Sequence, residues 1–193
     1  VTSDHGESLT GRDVFFDHHG LYEVNTHVPL IVRFPRALPA GKEVSGFVQH
    51  VDLAPTVLEL ADLPHDPSGY DGESLRDAVR RGRSSRPFVY SEESYVQSKR
   101  AIRTDRYRYI TAADGDGYCR YCHTVHGGKE ELYDLEQDPE ERQNVVEQHP
   151  EIAQELKNRL GEYMEGLEDQ RAHGAGSNRR ESNSQLLSPE EQR

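Results

Sequence analysis

Val1-Thr2-Ser3-Asp4-His5-Gly6-Glu7, together with the run His27-Val28-Pro29-Leu30-Ile31-Val32-Arg33-Phe34-Pro35, is the stretch on which the fold turns. The first three residues read as the end of a β-strand. Gly6 then breaks the extended pattern and leaves the side chains of Asp4, His5 and Glu7 clustered where the strand stops. The second run is β-branched and apolar between prolines, which predicts a buried strand. Two such strands with functional side chains at one end indicate the edge of a central α/β sheet.

Further along, the periodicity changes. Leu53, Val57, Leu60 and Ala61 recur at helical spacing, Asp52 can serve as N-cap, Pro55 falls in the first turn and Pro64 closes the segment. These elements make residues 1–63 one unit. A Gly-, Pro- and Arg-rich connector covers 64–87, with a short helix over Ser74 to Arg81. Residues 88–172 then read as an α+β subdomain. Phe88 to Glu92, Arg100 to Thr104, Tyr107 to Ile110 and Glu131 to Leu135 are short strands, the middle two joined by an Asp105-Arg106 turn. Ile152, Leu156, Leu160, Tyr163 and Met164 mark a closing amphipathic helix. Residues 173–193 have almost no apolar content and are expected to be a disordered tail.

Composition narrows the function classes. The chain has 193 residues, 33% of them hydrophobic and 30% charged, with 23 basic against 35 acidic residues and a net charge of −12. That balance argues against nucleic acid and against anionic membrane surfaces, which both select surplus Lys and Arg. No run of 18 apolar residues occurs, and the first residues are neither a start Met nor a signal peptide. The chain therefore reads as an internal piece of a longer protein. Without a visible signal, a soluble and cytoplasmic setting is the expectation.

The segments Thr2-Ser3-Asp4-His5-Gly6-Glu7, Phe16-Asp17-His18-His19-Gly20-Leu21-Tyr22-Glu23, His27 to Val32, Val51-Asp52-Leu53-Ala54-Pro55-Thr56, Arg100 to Ile110 and Glu131 to Pro139 follow one another in an order that resembles the C-terminal half of the type I sulfatases, in the alkaline phosphatase superfamily. The resemblance covers roughly residues 1–167. It implies a sulfuric ester hydrolase in which Asp4 and His5 ligate a divalent cation. Calcium is the family's usual ion, but imidazole at position 5, where many sulfatases have Asn, also suits manganese, iron or zinc. It further implies a formylglycine nucleophile upstream of this chain, since neither Cys119 nor Cys122 lies in the motif that matures to it. The substrate would be a sulfated small molecule or glycan.

Many relatives carry a Lys five residues before the Glu of a Tyr-Glu pair, in contact with the leaving group. Counting back from Glu23 gives His18, an imidazole able to act as a general acid, with His19 as the alternative if the register is off by one. Glu7 is expected to steady the loop or the cation's outer shell. Asp-His in place of Asp-Asn is also similar to the phosphonate monoester hydrolases, so a phosphodiesterase or phosphonate reading stays open, as does a non-catalytic metal-binding or assembly module. Separately, Cys119, Cys122, His123 and His126 lie within eight residues. That loop could be plain reduced thiols, a small structural zinc site, or a tight disulfide.

Overall fold

The computed structural model describes residues 1–9, 18–94, 97–113, 118–120 and 123–181. Side chains are described for all of these except residue 125 and residues 171–181. Phe15, Phe16, Asp17, Tyr121, Cys122 and the last twelve positions lie outside the described residues.

The frame is a four-stranded antiparallel sheet, in the order β1 (Val89–Glu93), β2 (Lys99–Arg103), β3 (Tyr107–Ala112), β6 (Glu130–Asp134). The predicted β2–β3 hairpin is present, with the Thr104 amide donating to the Tyr107 carbonyl at 2.8 Å. Tyr109 faces Leu132 and Ile102 across the ladders. A small second ribbon pairs β4 (Tyr118–Cys119) with β5 (Thr124–Val125).

Strand residues point alternately to opposite faces, and each face of the sheet buries a different partner. On one side, Ile102, Tyr109 and Leu132 pack against Ala153, Leu156 and Leu160 of α4 (Pro150–Glu181), the predicted amphipathic helix. On the other, Ala101, Ile110 and Tyr133 pack against Leu21 and Tyr22, which lead into the single turn of α1 (Glu23–Thr26). The sheet thus carries the stretch that contains His18 and His19. α2 (Leu53–Leu60) and α3 (Arg76–Arg81) occupy the connector side.

Several expectations are corrected. His27 to Pro35 is not a strand: Thr2 and Leu30 form one isolated antiparallel bridge, and Ile31 and Val32 are 62% and 46% exposed. A strand needs partners on its flanks, and the described residues offer this run only the first residues of the chain. Val44 to Val48 likewise contributes one bridge, Ser45 with Arg83. In α2 the buried residues are Pro55, Thr56 and Leu60, whereas Val57 is exposed. Asp52 does not cap α2. Its Oδ2 accepts from the Gln49 amide at 2.8 Å, closing a 3-10 turn over His50–Asp52, and its Oδ1 accepts from Glu73 N and Arg86 at 2.9 and 2.6 Å. Where an unstructured tail is expected from 173, helical backbone continues to Glu181, because helix hydrogen bonds are local and persist past Leu167, the last core contact.

Candidate functional site

Asp4 and His5 stand at the end of the short Val1–Thr2 bridge and are positioned by a close approach to α1. The Gly6 amide donates to the Asn25 carbonyl at 2.8 Å, and a Cβ on Gly6 would lie 1.9 Å from the Val24 carbonyl oxygen, so only Gly fits. α1 is in turn clamped to the sheet. Arg108, a buried β3 residue, donates to the Leu21 carbonyl at 2.5 Å and to Thr26 Oγ1 at 2.9 Å, and pairs with Glu23 and with the fully buried Glu141. Glu141 also accepts from the Glu23 amide at 2.8 Å. Burial alone would raise the Glu23 pKa, but Arg108 and Arg103 outweigh it and hold the carboxylate below its ordinary value.

On this base the predicted residues converge. The His5 and His18 rings stack with centroids 4.3 Å apart at 20°. His5 Nδ1 lies 2.8 Å from the Gly6 carbonyl, a contact that requires a proton on Nδ1, so in the neutral ring the lone pair is on Nε2. That nitrogen is 3.6 Å from Asp4 Oδ2, a spacing two ligands of one divalent cation can share. The His5 amide, above all, keeps the exposed Asp4 carboxyl below its ordinary pKa and so in ligand form. Glu7 Oε2 is 3.7 Å from His18 Nδ1, and ligand atoms of His5, Glu7 and His18 all lie within 4.8 Å of one another. Carboxylate and imidazole donors that converge in this way fit a divalent ion.

Asp4, His5 and His18 line an open cleft of about 1230 Å³. His27, His50 and Arg103, which the sequence gives no reason to single out, line it too, as does Arg108. Arg103 pairs with Glu23 at 3.4 Å and lies over the Phe47 ring at 4.8 Å. Its position at the last residue of β2 carries no signal that it faces the cleft. Arg100 instead pairs with Glu92. His19, the alternative to His18, is buried and its ring sits 5.2 Å from that of His126. In the loop read as reduced thiols, a small zinc site or a disulfide, the ligand atoms of Cys119 and His126 lie within 4.8 Å of each other, and His123 stands apart from them. His123 is exposed with φ +58° and lies against Tyr118. Cys122 is outside the described residues.

The family model for N-sulphoglucosamine sulphohydrolase, C-terminal, matches residues 11–168. The chain belongs to the sulfatases of the alkaline phosphatase superfamily. Arylsulfatase K of Xenopus laevis is 33% identical over an alignment of 171 positions that covers 82% of this chain and 30% of the relative. The chain therefore spans about a third of the length of the curated relatives it matches. Among solved structures, BT4656 in complex with its substrate D-glucosamine-2-N,6-O-disulfate is similar at TM-score 0.69 and 28% identity, over 87% of this chain and 34% of that one. The phosphonate monoester hydrolase of Agrobacterium radiobacter is similar at TM-score 0.60 and 25% identity, over 90% and 34%. The chain has the superfamily's α/β fold. Among the described residues no helix is long and apolar enough to cross a membrane.

Proposed function

We propose that this chain supplies one wall of the active site of a longer sulfatase, with Asp4 and His5 holding a divalent cation and His18 meeting the leaving group of a sulfate ester. The observation that carries this reading is the His5–His18 stack beside Asp4 in an open cleft. A bound cation would supply positive charge to the sulfate oxygens, calcium being the family's usual ion and manganese, iron or zinc compatible with the imidazole. Asp4 and His5 orient toward one point, and His18, exposed and paired with Glu7, can donate a proton to a departing alkoxide. Arg103, on the same cleft, can pair with an anionic part of a sulfated small molecule or glycan, in keeping with the disulfated glucosamine bound by one structural neighbour. The nucleophile, a formylglycine, would come from the part of the protein outside this chain.

A phosphonate or phosphate diester is the second reading. It is favoured by His5 in place of Asn and by the likeness to a phosphonate monoester hydrolase. The test uses the longer protein with an aryl sulfate and an aryl phosphonate side by side. Asp4→Ala is expected to abolish turnover, and His18→Ala to lower it by about 10²-fold or more, in the range of a lost general acid. His18→Lys should recover part of it, and His19→Ala should not act on the leaving-group step. An unchanged rate in His18→Ala would refute the assignment, and faster phosphonate than sulfate turnover would select the second reading.

A further inference from the structure

Where His19 forms part of the cleft wall, three donors of a different character meet beneath the surface. His19, Cys119 and His126 are all buried, and one ligand atom from each lies within 4.8 Å of the others. They come from the stretch before α1, from β4 and from the residue after β5, so the tertiary fold adds His19 to two donors of the Cys119–His126 loop. We propose that this is a structural zinc site, independent of the catalytic reading, that ties the His18–His19 stretch to the β4–β5 ribbon.

Each of the three residues is fixed through its own backbone. Asn25 Nδ2 donates to the His19 carbonyl at 2.9 Å. The Lys99 ammonium donates to the His126 carbonyl at 2.6 Å, and the His123 amide to the Cys119 carbonyl at 3.0 Å. Just beyond His126 the chain makes a close approach that only glycine allows: Gly127 has φ +71°, and a Cβ there would lie 2.1 Å from Glu131 Oε2. The backbone that carries the donors is thus set before any ligand arrives, which lowers the ordering cost of binding. The two imidazoles are tilted at 53° and not stacked, so their edges can converge on one point.

The donor set selects the ion. One sulfur and two imidazole nitrogens suit zinc, and calcium or magnesium would reject sulfur and prefer oxygen. Donors around tetrahedral zinc stand about 3.3–3.6 Å apart, given metal–ligand distances of about 2.0–2.3 Å, so donors that lie within 4.8 Å of one another need to close by no more than about 1.5 Å. On binding, the Cys119 thiol gives its proton to solvent and its sulfur lone pair to the metal, while both histidines stay neutral. No electron transfer is involved.

The cleft can also take a divalent ion, so a simple metal count would not separate the two sites. The thiolate-to-metal charge-transfer band of cobalt does, because the described residues that line the cleft include no cysteine. The 193-residue chain, stripped with chelator and titrated with cobalt, is expected to show the near-ultraviolet thiolate band and the visible bands of a tetrahedral ion, and zinc should displace both. Asp4→Ala should leave the bands in place. Cys119→Ser should remove the charge-transfer band. His19→Ala and His126→Ala should each weaken cobalt binding by more than about 100-fold, beyond the loss that removing a merely orienting partner causes. Far-ultraviolet circular dichroism of each variant checks the fold, and the wild-type titration decides the matter if a variant does not fold. Absence of a thiolate band in the wild-type chain would overturn the proposal. So would a band of undiminished affinity in folded His19→Ala, since the cysteine-bearing ribbon would then bind without the partner that the fold brings to it.

Discussion

Glu131 has no exposed surface, and three donors surround its carboxylate: Lys99 Nζ at 2.7 Å, Tyr22 OH at 2.9 Å and Tyr133 OH at 2.7 Å. Lys99 is one of only four lysines in the chain, and it too is almost wholly buried. A buried ion pair gains little over an apolar pair of the same volume, but breaking one by removing a single partner strands a charge without solvent. Lys99→Met is therefore expected to cost about 3–5 kcal/mol in denaturant unfolding, with much of it restored when Glu131 is also made Leu. A loss below about 1 kcal/mol would show that the carboxylate is hydrated or protonated in the folded chain. Nothing in the sequence marks this pair. A Lys opposite a Glu 32 positions later is invisible to periodicity, and the same holds for His19 and Cys119. Asp4 and His5, by contrast, are legible as candidate ligands because they are adjacent, because the motif around them resembles a known family, and because the glycine after them is required by the fold.

Of the secondary-structure elements, those of the small sheet are the most legible. β1, β2, β3 and β6 are aromatic or β-branched runs bounded by turns, and each finds its partner within the described residues. The equally apolar run around Leu30 to Val32 stays largely open, because strand formation depends on a neighbour as much as on propensity. The two ends of β6 give the sheet a pH dependence. Lys157, foremost, and Tyr109 hold the Glu130 carboxyl below its ordinary 4.5, and Arg106 does the same for Asp134, whose ordinary value is 3.8. Since both folded values lie below the unfolded ones, the unfolded chain takes up protons first as pH drops. The stabilisation is whole above the ordinary values and is lost as pH falls through the folded ones. The melting temperature should accordingly decline below about pH 4.5, and the double variant Glu130→Gln, Asp134→Asn should show a shallower decline there. Parallel curves for the two proteins in that range would refute the assignment.

At the scale of the whole molecule, the proposed cation wall and the packed sheet come with no residue, among those described, that is placed as the nucleophile of sulfate transfer. Cleavage needs that group in line with the sulfur, opposite the departing oxygen. The 193-residue chain alone is expected to leave a generic aryl sulfate untouched, and turnover above the buffer blank that Asp4→Ala abolishes would overturn this. The clamp from Arg108 to Glu23, Thr26 and Glu141 has a consequence in time. α1 is a single turn and would by itself fray and reclose rapidly, exchanging its amide hydrogens with solvent. With Glu23 held by β3 and by Glu141, the turn can open only when the sheet gives up Arg108. The Glu23 amide should then exchange on the slow schedule of the sheet's central strands, and the cleft wall and the sheet should melt as one unit.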